Sequence, residues 1–241
     1  MRAIRLHPDG LRLDELDIPE PDPGEALVRV HAAAITRDEL TWPADRLPAI
    51  PSYELSGVVE ATGEAVFALT AFDRDGVAAD YASVPTALLA PKPTGLSHVE
   101  AAALPMGGLS AWQGLIVHGH LQAGERVCIT GSGGGVGHLA VQLARAIGAE
   151  VVAPGTSCDL LFDTAGDPSA STARRIVTIA EEAPGADYFV VEPDGDQLAQ
   201  ITRLDLRPEI DSVFPLGEFT AAFTRLTAHG KHGKVVLDVA G

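Results

Sequence analysis

The run Arg126-Val-Cys-Ile-Thr-Gly-Ser-Gly-Gly-Gly-Val-Gly137, continued by His138-Leu-Ala-Val-Gln-Leu-Ala-Arg-Ala-Ile-Gly-Ala149, decides the fold. It reads as a short apolar strand, a glycine turn and an amphipathic helix. Gly131, Gly134 and Gly137 stand at GxxGxxG spacing in the turn. Such a turn lets the backbone approach a pyrophosphate, whose charge rests on N–H groups at the helix N-terminus. A glycine triplet alone is also what a plain flexible turn looks like. The strand before it and the helix after it supply the context that the dinucleotide reading needs.

Working outward, strands and helices alternate through the middle of the chain, which argues for a parallel α/β unit. Strand-like runs follow at Glu150–Ala153, Asp159–Asp163, Ile176–Ala180 and Asp187–Glu192. Upstream, residues 1 to about 93 read as β-rich, with Ala26–His31 and Leu55–Glu60 strand-like and prolines punctuating the loops. Leu89-Ala-Pro-Lys-Pro-Thr-Gly95 reads as a domain boundary. Ser97-His-Val-Glu100 has capping-box spacing and opens a helix. A second helical run covers Leu109–Val117. The C-terminal part predicts a strand near Ile210–Phe214, a helix from about Gly217 to Ala228 and a last strand at Gly233–Val239.

Composition sets outer bounds. The 241 residues hold one large domain or two modest ones. A formal charge of −16 argues against nucleic acid or an anionic membrane as partner, because both need a basic face. Two cysteines, Cys128 and Cys158, make no disulfide framework. The N-terminus lacks a signal-like apolar run, and no apolar stretch is long enough to span a bilayer, so the sequence predicts a cytoplasmic protein.

Several segments together carry a family likeness. They are Glu25–Ala34, Ile50-Pro-Ser-Tyr-Glu-Leu-Ser-Gly-Val-Val59, Glu100–Gln113, Thr130–Ala149, Phe162-Asp-Thr-Ala-Gly166 and Gly233-Lys-Val-Val236. In this order, and over nearly its whole length, the chain resembles the medium-chain dehydrogenase/reductase superfamily, on its zinc-free quinone oxidoreductase (zeta-crystallin-like) branch. The resemblance implies an α/β protein of two lobes. One is a GroES-like β-barrel lobe over 1–93, completed by about 205–241. The other is a truncated Rossmann lobe, a doubly wound parallel sheet, over 94–204. Substrate would lie in the cleft between them. It implies hydride transfer from NADPH to a quinone, an enone or a similar activated alkene, hence an apolar carbonyl or quinone substrate. Homodimers are common in that branch.

The same resemblance distributes the site residues. Gly131, Gly134, Gly135, Val136 and Gly137 present backbone N–H groups to the phosphates. The second strand ends Val151-Val-Ala-Pro154 with no acid at its tip, which favours NADPH over NAD by absence of repulsion. Thr156 and Ser157 are the nearest readers of a 2′-phosphate; Lys231 and Lys234 read better as surface charges. Thr164 and Thr178 fall in segments that line the nicotinamide in the family, or are ordinary strand-end turns. Zinc-dependent relatives use Cys and His in the segments corresponding to Thr36 and Tyr53-Glu54; neither is present, so no metal is expected. His118 and His120 alone make no ligand set. Tyr53 is the candidate for a hydrogen bond to a carbonyl oxygen or for proton delivery, or else a half-buried packing aromatic. Thr36 keeps a hydroxyl where the family commonly has Asn. Trp42 walls an apolar substrate or packs in the core.

The chain is also short for this family. Five residues between Glu150–Ala153 and Asp159–Asp163 reach at most ~17 Å. They would have to return along a strand ~13–17 Å long while moving sideways ~9–10 Å. Both strands therefore cannot flank the first strand in parallel, and one is expected to reverse or leave the sheet. The rival reading is a dinucleotide-binding or cofactor-free scaffold protein that keeps the fold and has lost oxidoreduction.

Overall fold

The computed structural model describes residues 1–36, 39–41 and 47–241. Trp42 lies outside them. In chain order, β1 (Arg2–His7) and β2 (Gly10–Glu15) are followed by β3 (Glu25–Ile35), β4 (Glu54–Val59), β5 (Ala65–Leu69), β6 (Tyr81–Pro85) and β7 (Ala90–Pro91). Next come α1 (His98–Ala102) and α2 (Pro105–Trp112), the latter continuing into a π-helical turn at Gln113–His118. Then follow β8 (Arg126–Ile129), α3 (Gly137–Ile147), β9 (Glu150–Val152), β10 (Cys158–Asp163), β11 (Ala173–Thr178) and β12 (Asp187–Tyr188). The chain closes with α4 (Gly195–Ile201), β13 (Ile210–Pro215), α5 (Phe219–Thr227) and β14 (Lys234–Asp238). It divides into two compact units, 1–105 with 193–199 and 208–241, and 106–192 with 200–207. Among the described residues, no helix is long and apolar enough to cross a membrane.

The first unit is organised by β3. Its first half pairs antiparallel with β6 and its second half with β14, while β4 runs antiparallel along its other edge. The change of partner falls at His31, where the register against β4 shifts and the His31 carbonyl accepts the Val239 amide at 2.9 Å. A bulge of this kind lets one strand serve two sheet directions. Alternate residues of these strands, among them Val28, Val30, Leu55, Val84, Val235 and Leu237, are buried in one apolar core. The Ser97 capping box forms as the spacing predicts: its hydroxyl accepts the Glu100 amide, and the Glu100 carboxylate accepts the Ser97 amide at 2.8 Å. His98 on α1 meets the Ser56 hydroxyl of β4 at 2.8 Å.

The second unit holds a five-stranded sheet in the order β12-β11-β10-β8-β9, every pair parallel. This is the sheet of a Rossmann-like lobe. Its strands are near-continuous apolar runs because both faces are covered: Val127, Cys128, Leu160, Leu161 and Phe162 are all fully buried. β12 keeps only two paired residues of the longer strand that Asp187–Glu192 suggests.

The expectation that β9 and β10 could not both flank β8 in parallel is wrong. Val152 stands opposite Cys128 and Leu160 opposite Val127, so β9 and β10 lie on either side of β8. The reason is the length of β9. It has three residues. The return from Val152 to Cys158 covers ~10 Å along the sheet and ~9–10 Å across it. Six Cα steps reach ~20 Å, which is enough. The link is fixed by hydrogen bonds instead of a helix. Gly155, at φ +85°, donates its N–H to the Ala170 carbonyl at 2.7 Å, and Cys158 donates to the Thr172 carbonyl at 3.0 Å. Ala170 and Thr172 belong to the next crossover, between β10 and β11, so two helix-free links brace each other.

The π-helical turn packs on this sheet through a glycine. A Cβ on Gly114 would drive into the Phe162 ring, and Phe162 has no exposure. Gly114→Ala is therefore expected to destabilise the chain by about 1–3 kcal/mol through overpacking. Denaturant unfolding of variant and parent, followed by circular dichroism, measures it.

Candidate cofactor turn and substrate-side cluster

The glycine turn sits where β8 hands over to α3. Gly131 has φ +61°, and a Cβ there would lie 2.7 Å from Thr164 Oγ1. A Cβ on Gly137 would collide with the Gly131 carbonyl. The Gly134 N–H donates to that same carbonyl at 2.8 Å. Both positions exclude any larger residue, one by conformation and contact and the other by contact alone. Gly131 to Gly134 are exposed, Gly135 and Val136 half-buried, and Gly137 buried. No side chain caps α3 at its start. The first amides of an uncapped helix, met by exposed glycines, suit the pyrophosphate of a nicotinamide dinucleotide.

Asp163 closes the turn from below. It is fully buried at the end of β10. One carboxylate oxygen accepts the Thr130 hydroxyl at 2.6 Å and the amides of Ala165, Gly166 and Asp167 at 3.0–3.1 Å. The other accepts the Thr178 hydroxyl at 3.1 Å. Burial pushes this carboxyl up, but the donors around it outweigh burial and hold it below the usual carboxylate value. Thr164 joins the same knot: its amide donates to Thr130 Oγ1 and its hydroxyl to the Thr130 carbonyl. Thr178 is fully buried beneath it. Thr156 is half-buried and Ser157 exposed in the link after β9.

The substrate-side candidates lie in the first unit. Tyr53 is half-buried, and its ring meets Phe72 edge-on at a centroid distance of 5.2 Å. Its carbonyl accepts the Thr70 amide at 2.7 Å. The residue before it, Ser52, is a buried non-glycine at φ +67°, and its hydroxyl donates to the Ala34 carbonyl at 2.8 Å. Left-handed backbone costs ~1–2 kcal/mol for such a residue. The strain is offset by a tight weave, in which the carbonyls of Ile50, Pro51 and Ser52 accept the amides of Gly76, Ala78 and Val77.

Thr36 stands at the end of β3 in a buried polar cluster. Its hydroxyl donates to Glu54 Oε1 at 3.2 Å and accepts from the Lys234 ammonium at 2.9 Å. Lys234 also pairs directly with Glu54. Glu54 has no exposure and Lys234 is 8% exposed. Reading Lys234 as a surface charge is thus corrected: β14 lies against β3, which carries its ammonium into the sheet beside Glu54. The Thr36 amide donates to Glu39 Oε2 at 2.9 Å. Glu39 is buried, and burial pushes its carboxyl up to about 8, against the opposing pull of the Thr36 amide and of Lys234.

Sequence patterns alone miss Glu39, Glu54, Lys234 and Asp163 as a class. The available signal is a charged residue inside an otherwise apolar strand, as in Tyr53-Glu-Leu and Gly233-Lys-Val-Val. Among the described residues, no group of three or more His, Cys, Asp or Glu is placed to hold a metal ion. His118 instead pairs with Asp187 at 2.9 Å and stacks on Phe189.

Residues 22–78 match the alcohol dehydrogenase GroES-like domain. The chain is 28% identical to a probable mitochondrial zinc-binding oxidoreductase of Arthroderma benhamiae, over 92% of this chain and 90% of the relative. That alignment spans 298 positions, more than the 241 residues here, so the relative carries segments that this chain lacks. A chloroplastic NADPH-dependent alkenal/one oxidoreductase of Arabidopsis thaliana is 26% identical over 95% of this chain and 76% of its own length. Among solved structures, the quinone oxidoreductase of Thermus thermophilus, also determined in complex with NADPH, superposes with a TM-score of 0.83 at 29% identity, covering 99% of this chain and 100% of that one. The glycine turn, the parallel sheet and the β-rich unit threaded by a C-terminal strand agree with these likenesses, and the chain belongs to the medium-chain dehydrogenase/reductase superfamily, on its quinone oxidoreductase-like branch.

Proposed function

We propose that this chain is a zinc-independent, NADPH-dependent reductase of a quinone, an enone or a similar activated alkene. The observation that carries the reading is the glycine turn, whose close contacts at Gly131 and Gly137 admit no side chain and leave backbone amides at the start of α3. Gly131, Gly134, Gly135, Val136 and Gly137 would hold the pyrophosphate, with Thr164 and Thr178 supporting the turn through Thr130 and Asp163. The cofactor, when bound, supplies the hydride. The protein's part is to orient the acceptor, exclude water and stabilise charge on the acceptor oxygen. Tyr53, in the family-like segment Ile50–Val59, would donate a hydrogen bond to that oxygen. Thr36 commits its hydroxyl hydrogen to Glu54, so its part is to hold the cluster in position. The likeness to the Thermus quinone oxidoreductase and the Arabidopsis alkenal/one oxidoreductase supports acceptors of these classes.

The scaffold reading gains support from one feature, the helix-free link at 153–157. Fluorescence titration with NADPH separates the two. The reductase reading expects saturable, micromolar binding that Gly137→Ala weakens at least tenfold. No binding by the folded parent supports the scaffold.

Three further outcomes are expected. Thr156 and Ser157 are uncharged, so NADPH and NADH should differ in affinity by less than about 1.4 kcal/mol, a factor of ten. A hundredfold preference for NADPH in the same titration contradicts this. Tyr53→Phe should lower kcat more than it raises KM, read by steady-state kinetics with several quinones and enones. Elemental analysis of purified protein should find no stoichiometric zinc, and chelators should leave activity unchanged, because Thr36 and Tyr53 stand where zinc relatives use Cys and His.

A further inference from the structure

The β-rich unit is open at the end away from Tyr53. β3 starts there, β4 ends there, β5 starts there and β6 ends there. The pairing gathers these ends: the Leu27 carbonyl accepts the Glu60 amide at 2.9 Å, Glu25 stands opposite Pro85, Val58 opposite Ala65, and Val66 opposite Pro91 of β7. They surround a cavity of about 850 Å³. Every residue that lines it belongs to the first unit. Thr36, Tyr53 and Glu54 stand at the opposite ends of the same strands, and the six residues of β4 put Glu54 ~17 Å from Val59. The floor of the cavity is the apolar core itself. Val59 and Val66 are buried members of it, and Ala26 and Leu89 pack against it. A concave mouth over an apolar floor, of about 300–1,000 Å³, is the size and shape that holds a small molecule.

The rim selects the charge of that molecule. Glu25, Glu60 and Glu64 line the cavity, and the exposed Glu20 and Asp22 flank Pro21, which lines it too. Arg74 takes both oxygens of Glu25, at 2.6 and 3.2 Å. These bonds, with one from the Ser83 hydroxyl, hold the Glu25 carboxyl down at about 2, so it is ionised at neutral pH. Arg29 meets Glu60 at 2.9 Å in an exposed pair. Lys92 follows Pro91, but its ammonium is committed to the carbonyls of Pro93 and Leu96. Each arginine is thus matched by one carboxylate. The exposed Glu64 accepts the Thr62 hydroxyl at 3.2 Å, and no ion pair joins it to a described residue. The formal charge of −16 on the whole chain acts in the same direction. Such a mouth repels anions and draws in cations.

We propose that this mouth is a second binding site, which takes a small organic cation with an apolar body, such as an arylalkylamine. The apolar body rests on Val59, Val66 and Leu89, and the ammonium sits at the lip beside Glu64. The site lies within one unit and stands independently of the reductase reading.

The test titrates the whole chain with naphthylethylamine, naphthylethanol and naphthylacetate. At neutral pH these share one apolar body and carry a positive charge, none and a negative charge. Binding is followed by naphthyl fluorescence and by amide NMR shifts. The proposal expects the amine to saturate below about 1 mM, the alcohol to bind at least about threefold more weakly, and the acetate more weakly still. The shifts should fall on residues 25–27, 59–66 and 86–91. Glu64→Lys should weaken the amine about fivefold and leave the alcohol unchanged. Ala61 is exposed and lines the mouth, so Ala61→Trp should fill it and remove binding of all three. Equal affinity for the three compounds overturns the proposal. So does an amine that fails to saturate below about 1 mM, one whose shifts centre elsewhere, or one indifferent to both variants. If Ala61→Trp does not fold, Glu64→Lys and the shift map of the parent decide. A parent that binds the amine at the mouth and no NADPH overturns the reductase reading alone.

Discussion

The carboxylate of Asp163 is the interaction on which the cofactor lobe depends. Among the described residues it is buried without a cation, a state that is costly unless hydrogen-bond donors replace water. Here five donors do so, two hydroxyls and three backbone amides. Those donors come from the ends of β8 and β11 and from the turn after β10. One side chain therefore ties three adjacent parallel strands together at their carboxyl ends. That edge is where open α/β sheets bind their ligands.

A lobe with so little helix keeps an ordered glycine turn for this reason. Parallel sheets ordinarily gain their order from crossover helices packed on both faces. Between β9 and β11 the chain has none, and the links bond to each other through Gly155 and Ala170. The rigid parts are instead local. Gly131 leaves no room for a Cβ beside Thr164, Thr164 bonds to Thr130, and Thr130 bonds to Asp163. The Gly131–Gly137 turn keeps these contacts although no helix connects β9, β10 and β11.

Much of this is legible in the residues. The Gly131–Gly137 spacing between an apolar strand and an amphipathic helix, and the Ser97–Glu100 capping box, are local patterns, and local patterns survive without knowledge of tertiary contacts. The Pro-rich stretch Leu89–Gly95 reads as a boundary in the sequence, whereas the compact units divide after Pro105. What is not legible depends on pairing across long sequence separations. Lys234 and Glu54 are 180 residues apart and meet only because β14 and β4 both flank β3. Glu39 is unremarkable in sequence, and its raised carboxyl comes from burial. The crossover after β9 escapes a sequence argument built on loop length, because strand length sets the distance to be spanned.

Amide hydrogen exchange at Ala165, Gly166 and Asp167, compared between the parent and Asp163→Asn, tests the central role of this carboxylate most directly. Asparagine keeps the shape and removes the charge, which weakens each bond to the turn. The account predicts that these three amides exchange at least about tenfold faster in the variant while the β8 and β10 amides stay protected. Unchanged protection at the three turn amides would contradict it, and would mean that the turn is held by packing of its glycines alone.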